Sequence, residues 1–299
     1  MTRTFNTRMV FRTMGALLLL EALFMAISMG VSLWYNEADS DVFLLSTIIT
    51  LLAGFIGIFI GRRAESRMGE REGYFIVAMV WVVFSLFGML PYYLSGQVPS
   101  FTDAWFETMS GFTTTGATII PDLDSITHGL LFWRSLTQWI GGMGIIVLSI
   151  AILPIFGLNG MQLYAAEVTG LTYEKLSPRI SDTAKLMWTT YIVLTAIEIL
   201  ALWLCGMELF DAICHSFSTI ATGGFSTKNE SLAFYDSAAI HYIVTFFMFM
   251  SGVNFVLLIY LLRGKTRNII KDEELRWYTI AVILFTLIIT IGLYVSRTG

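Results

Sequence analysis

Seven stretches of this chain are apolar over the roughly 20 residues that a helix needs to cross a bilayer: 13–34, 42–61, 74–95, 129–157, 186–206, 239–262 and 277–296. That feature leaves little choice of fold. In lipid every backbone N–H and C=O must be satisfied internally, so each stretch has to be a helix or pair with others in a closed barrel, and runs of this length read as helices. Only 13% of the 299 residues are charged, against about 25% in soluble domains, which excludes a water-soluble globule. The first stretch follows Arg3, Arg8 and Arg12 but runs 22 residues and contains Glu21, longer than the roughly 7–15 apolar residues of a secretion signal. It reads as a retained helix. Two further segments, 103–112 (DAWFETMSGF) and 211–220 (DAICHSFSTI), are helix-like but too short to span.

Charge supplies the topology. The N-terminus and the connections 62–73, 158–185 and 263–276 together carry fifteen of the 18 Lys and Arg residues. The opposite side has Arg134, Lys228 and Arg297 among many carboxylates, including Glu37, Asp39, Asp103, Asp122, Asp124 and Asp211. The bias of positive charge toward the cytoplasm predicts a multi-pass protein of the cytoplasmic (inner) membrane with its N-terminus inside. The alternation closes only if both short segments enter and leave on the outer face, as re-entrant loops. No Lys/Arg run offers a nucleic-acid footprint. Cys205 and Cys214 form neither a disulfide framework nor a metal spacing, and His128, His215 and His241 share no metal-binding spacing. No Ser/His, His/Glu or paired-Asp constellation stands at catalytic spacing, so the chain does not read as an enzyme.

The two short segments belong to an internal repeat. At an offset of 108 residues, DAWFETMSGFTTTGAT (103–118) lies without a gap over DAICHSFSTIATGGFS (211–226), matching Thr114 to Thr222, Gly116 to Gly224 and Glu107 to His215. A preceding span ends at Gly96 or Gly206, and a following span carries GGMG (141–144) or SGVN (251–254). Each unit is therefore helix, short helix, Gly/Thr loop, helix. Non-helical backbone at membrane depth is tolerated only where it is buried in protein or lines a water-filled path. Such a loop presents backbone carbonyls, the groups that replace the hydration shell of a permeating cation. Gly116 and Gly224 can take positive φ cheaply, and each short helix aims its negative C-terminal end at the loop. The candidate ligands are the backbone carbonyls of Thr114, Thr115, Gly116, Thr222, Gly223 and Gly224, with Ala117 and Phe225 completing the two strands. Gly141, Gly142 and Gly144 read instead as sites of close helix approach or bending.

TTTGAT, TGGFS, FWRSLTQWIGGMGI (132–145) and LPIFGLNGMQLYAAE (153–167) resemble motifs of the Trk/Ktr/HKT superfamily of potassium transporters, nearest to its bacterial Trk membrane-subunit branch, from about residue 10 onward. The resemblance implies an all-α membrane protein of repeated helix–pore-helix–helix units of the potassium-channel-like type with an extra N-terminal helix pair. It divides the chain into an N-terminal two-helix unit (1–73), a first pore unit (74–157), a cytoplasmic loop (158–185), a second pore unit (186–262), and a loop with the first helix of a third unit (263–299). It also implies potassium as the transported ion, no organic cofactor, a cytosolic nucleotide-binding regulatory subunit and a homodimer. In the family a glycine at positions such as Gly116 and Gly224 accompanies potassium preference and a serine sodium transport. Thr118 and Ser226 replace the second glycine of a potassium-channel filter, which implies weaker selectivity than a channel's. Because the family arranges four units about one pathway and this sequence holds two, it is expected not to transport by itself.

The alternative is a membrane anchor or scaffold subunit with no ion path of its own, for which polar re-entrant loops have no use. Outside the loops, Glu21 and Glu198 lie within spans, where an ionisable residue marks either function or a hydrogen bond to a neighbouring helix. Arg134 is expected to snorkel to the interface. Aromatics such as Trp34, Tyr35, Tyr92 and Tyr93 cluster near span ends, as an interfacial belt does.

Overall fold

The structure, a computed structural model, describes residues 5–64, 70–144, 180–262, 264, 269 and 272–298, and these are helical with no strand among them. The second half of the expected fourth span, the loop after it and most of 263–271 lie outside the described residues. The helices are α1 (Thr7–Trp34), α2 (Ser40–Gly61), α3 (Glu70–Gly88), α4 (Leu90–Leu94), α5 (Phe101–Phe112), α6 (His128–Gly142), α7 (Ile180–Leu204), α8 (Leu209–Ile220), α9 (Ala238–Ser251), α10 (Phe255–Leu262) and α11 (Glu273–Thr298). The chain falls into two compact units, one ending at Met248 and one beginning at Phe249.

In the first unit α1 and α2 form a tight antiparallel-type pair for a steric reason. A Cβ on Gly15 would stand 2.5 Å from the Gly54 carbonyl oxygen, one on Gly57 would stand 3.0 Å from Gly15 Cα, and one on Gly61 would stand 2.4 Å from Arg12 Cβ. Small residues at this spacing let helix backbones touch where no hydrophobic force between helices is available. Asn6 starts α1 by accepting the Met9 N–H on its side chain (3.1 Å). The expected third span is continuous over Arg71–Leu94, with only Met89 between α3 and α4 and Pro91 in the first turn of α4. At this junction the Gly88 carbonyl accepts the indole N–H of Trp133 (2.8 Å).

The short helices α5 and α8 each have 12 residues, about 18 Å at 1.5 Å per residue, too short for a hydrocarbon core of roughly 30 Å. Ser100 caps α5, accepting the Asp103 N–H (3.4 Å), and Asp103 and Asp211 occupy the two first turns, where a carboxylate complements the helix dipole. On the same side the α1–α2 turn reaches across the molecule. Glu37 accepts the backbone N–H groups of His128 (3.0 Å) and Gly129 (3.1 Å), so a carboxylate from another element caps α6. Asp39 accepts the hydroxyls of Ser32 and Thr127, and Tyr35 stacks on His128 with ring centroids 4.0 Å apart.

In the second unit Tyr278 of α11 stacks on Phe249 (5.1 Å) and donates its hydroxyl to the Phe249 carbonyl (3.2 Å). Between α9 and α10 the chain breaks at 252–254, where Asn254 turns its amide to Glu274 (3.3 Å). The α11 side chains are exposed along almost the whole helix, as suits a surface in contact with lipid.

Candidate functional site

The two short helices end identically. In α5 the Thr114 N–H bonds to the Gly111 carbonyl and the Thr115 N–H to Ser110, both at 2.9 Å; in α8 Thr222 bonds to Thr219 and Gly223 to Ser218, again at 2.9 Å. This pair of bonds is the Schellman motif, which requires a left-handed residue just past the helix. Thr114 (φ +53°) and Thr222 (φ +56°) supply it, although a side chain there costs about 1–2 kcal/mol relative to glycine. Two residues later Gly116 (φ +74°) and Gly224 (φ +85°) are left-handed again, with no positive φ at Thr115 or Gly223 between them. Positive φ at both glycines agrees with the expectation from sequence; the left-handed threonines were not foreseen. Alternation of hand brings successive peptide dipoles toward a common side of a strand.

The loops meet each other. A Cβ on Gly116 would lie 2.0 Å from the Gly223 carbonyl oxygen, and one on Gly223 would lie 2.3 Å from Gln138 Cδ. Nothing stands within 4 Å of the corresponding position on Gly224. Behind the loops the glycine pair ending α6 admits both short helices. Gly141 abuts the backbone of Phe112, the last residue of α5, and Gly142 abuts the backbone of Ala221, the residue capping α8. The reading of these glycines as close-approach sites agrees with this geometry.

Arg134 corrects the expectation that it snorkels. It is 2% exposed, donates from Nε to Glu107 Oε1 (2.7 Å) and from Nη1 to the Ser226 carbonyl (2.8 Å), and lies 3.6 Å from the centroid of the Phe225 ring. Glu107, 1% exposed, also accepts the Thr118 hydroxyl (3.0 Å) and the Ile119 N–H (2.9 Å). A single buried ion pair therefore ties the tail of the first loop to the tail of the second. A charged pair is retained at such depth only when each partner's remaining hydrogen-bonding capacity is filled, as here. Gln138 adds a second tie: its Oε1 accepts the Ser218 hydroxyl (2.8 Å) and the Phe225 N–H (3.1 Å). Sequence reading missed Glu107, Arg134 and Gln138 as loop-holding residues. The available signal was an acid on a short helix and a base inside an apolar stretch, each needing a partner at membrane depth.

The repeat around α8, the second unit of the internal sequence repeat, solves the same problem differently. Asp211, from the first turn of α8, accepts the hydroxyls of Thr227 and Tyr235, both at 2.7 Å, and the Lys228 ammonium at 3.3 Å. Its target Thr227 is the counterpart of Ile119, which Glu107 holds in the first unit. The second-unit counterparts of Glu107, Arg134 and Gln138 are His215 at the short-helix offset and Val244 and Met248 at the offset set by GGMG and SGVN. These three line a cavity of about 330 Å³ beside Thr222, Gly223 and Gly224. His215 Nε2 is buried there with no hydrogen-bond partner among the described residues.

Glu21 and Glu198 are 1% and 0% exposed; among the described residues the Glu21 carboxyl meets no hydrogen-bond donor, and the Glu198 carboxyl has only the Thr219 hydroxyl beside it. Five buried positions within 80–96 recur as buried positions at an offset of 110: Val80/Thr190, Phe84/Leu194, Ser85/Thr195, Gly88/Glu198 and Tyr92/Leu202. Glycine thus stands in the first unit where Glu198 stands in the second. The vacated space is filled from α1: a Cβ on Gly88 would lie 3.0 Å from Glu21 Oε1, between the side chains of Thr108 and Phe112. One carboxyl is packed behind each short helix, by α1 in one unit and by the unit's own helix in the other.

Outside the membrane-embedded part, Asn229 of the second loop's extension donates to Asp122 (3.0 Å) and Asp124 (3.1 Å) and accepts the Leu123 N–H (2.8 Å). The Asn229 amide is the main cause holding the Asp122 carboxyl below its ordinary pKa.

The family model described as TrkH, cation transport protein, matches residues 39–296 of this chain. The potassium uptake protein TrkH of Salmonella typhimurium is 43% identical over 291 residues, covering 96% of this chain and 60% of that protein. TrkG of Escherichia coli is 36% identical over 300 residues, covering 97% and 62%. The crystal structure of the potassium transporter TrkH from Vibrio parahaemolyticus superposes with a TM-score of 0.82 at 38% identity, covering 95% of this chain and 58% of that one. The chain spans about 60% of the length of the curated relatives it matches.

Proposed function

This chain belongs to the TrkH family of cation transport proteins, a family of multi-pass membrane transporters rather than enzymes, and on that premise we propose that it contributes the first two filter strands of a potassium uptake pathway. The strands are Thr114–Ala117 and Thr222–Phe225, and the ligands are the backbone carbonyls of Thr114, Thr115, Gly116, Thr222, Gly223 and Gly224. The observation that carries this reading is the repeated alternation of left-handed residues at 114/116 and 222/224, because carbonyls gathered on one side can replace the hydration shell of a monovalent cation. The names of the relatives supply the choice of potassium. Phe225 serves as an anchor, its ring beneath Arg134, while its backbone continues the strand.

The protein lies in the inner membrane with its N-terminus inside. The unit boundaries at 73, 157, 185 and 262 mark a helix pair, two pore units and a following helix, and the cytoplasmic side receives a nucleotide-binding regulatory subunit in a homodimeric assembly. The alternative of an anchor without an ion path is disfavoured by the care taken to hold both loops.

The test is a chimaera in which this chain replaces the aligned part of the Escherichia coli relative, expressed in a strain deficient in potassium uptake. Growth at low potassium is expected, and Gly224→Ser should raise sodium over rubidium uptake. An unchanged ratio in a well-inserted Gly224→Ser protein would falsify the filter assignment.

A further inference from the structure

Helices α1, α2 and α3 enclose an apolar groove of about 530 Å³. Phe75, Met79, Val83 and Phe87, four residues apart on α3, form one wall, and Gly15 and Gly57 leave the floor bare. Along α1 the lining runs from Thr7 to Leu18, about 17 Å at 1.5 Å per residue, roughly half of a hydrocarbon core of about 30 Å. The groove is thus as long as one leaflet is deep.

One end of it is basic. At the end marked by Thr7, Ile60 and Phe75, each of the three helices brings an exposed arginine: Arg8 in α1, Arg62 just past α2, and Arg71 in α3. Gly61 draws α1 and α2 together there, since its Cβ would stand 2.6 Å from the Arg8 carbonyl oxygen. The Arg62 guanidinium lies 4.3 Å from the Phe59 ring centroid. Among the described residues none of the three arginines forms an ion pair. Glu72, a carboxylate at this end, is buried and accepts the Asn6 N–H (2.8 Å).

We propose that this groove binds an anionic glycerophospholipid from the leaflet on the N-terminal side, with one acyl chain along the groove and its phosphate among Arg8, Arg62 and Arg71. The apolar length matches an acyl chain in one leaflet, and three arginines from three helices complement a negative headgroup, each contributing about a fivefold preference near a membrane surface. A zwitterionic lipid fills the groove without that preference.

The experiment is lipid retention by the purified chain, read by native mass spectrometry against matched-chain phosphatidylglycerol and phosphatidylcholine. Phosphatidylglycerol should be retained at least about tenfold better. Arg8→Gln, Arg62→Gln and Arg71→Gln together should abolish the preference, lowering phosphatidylglycerol retention to the level of phosphatidylcholine. Val83→Trp and, separately, Ala53→Phe should fill the groove and lower retention of both lipids, with helicity and thermal stability measured to confirm folding. Inorganic phosphate should not displace the bound lipid. Equal retention of the two lipids by the unaltered chain, a preference surviving the triple substitution, or displacement by phosphate alone overturns the proposal. Retention untouched by both groove-filling variants overturns it as well.

Discussion

In the second loop Gly223 and Phe225 are buried, one against Gln138 and the other beneath Arg134, whereas their counterparts Thr115 and Ala117 in the first loop are exposed. The backbone hand is the same at each pair of positions. The difference lies in the neighbour: α6 of the first unit grips the second loop, and among the described residues the first loop receives no equivalent grip. Likewise Glu107, Arg134 and Gln138 surround an occupied socket, while His215, Val244 and Met248 surround a cavity. Backbone conformation in these loops is local, set by helix-end hydrogen bonds and glycine. The burial of the second loop, by contrast, is supplied by the adjacent unit.

The largest expected effect separates the two tethers. Arg134→Met strands Glu107 as a buried unpaired charge and releases both loop tails, at about 3–5 kcal/mol. Asp211→Asn keeps a hydrogen-bonding side chain between Thr227 and Tyr235 and strands no buried charge, because its partner Lys228 has a side chain 26% exposed, so it should cost about 1 kcal/mol. Thermal unfolding in detergent compares them, and equal losses would break the distinction.

The two filter glycines come next. Gly116→Ala combines a left-handed φ with a Cβ 2.0 Å from the Gly223 carbonyl oxygen, so the backbone of both loops must shift, at about 3 kcal/mol or more. Gly224→Ala meets open space and pays only for its φ, about 1–2 kcal/mol. Stability and the rubidium-to-sodium uptake ratio of the chimaera should both change more at Gly116.

A smaller effect, of opposite sign, tests the equivalence of Glu21 and Glu198. Because the Glu21 carboxyl has no hydrogen-bond partner among the described residues while Glu198 has the Thr219 hydroxyl beside it, Glu21→Met should stabilise the protein by about 1 kcal/mol by removing an unsatisfied buried group, and Glu198→Met by less. Opposite responses would show that the two carboxyls do different jobs.

The smallest concerns the outer clamp between the loops. Asn229→Ala should raise the Asp122 pKa toward its ordinary value, measurable by carboxyl titration. The sign follows from linkage: a depressed carboxyl pKa contributes stability above the unfolded value and loses it as pH falls through the folded one. The variant should therefore lose the acid-range dependence contributed by this group, with ion uptake unchanged at neutral pH.

Much of this was legible from residue order alone. Apolar run length dictated membrane helices because lipid leaves the backbone no other partner. The 108-residue repeat located both short helices to within two residues of their observed starts at Phe101 and Leu209, and glycine chemistry identified Gly116 and Gly224 as left-handed positions. What it did not reveal depends on contacts between residues far apart in the chain. The Schellman threonines stayed hidden because threonine has no intrinsic preference for positive φ, which here is imposed by the helix-end bonds. Arg134 was misread because a base in an apolar stretch looks the same in sequence whether it snorkels or pairs. Only the packing of α6 against α5 placed Glu107 within 2.7 Å of it. Glu21 and Gly88 lie 67 positions apart, and only tertiary structure sets a carboxyl from α1 where the repeat leaves a glycine. Local periodicity and turn chemistry are written along the chain; which buried polar group meets which is decided by close packing of helices whose contacts no period encodes.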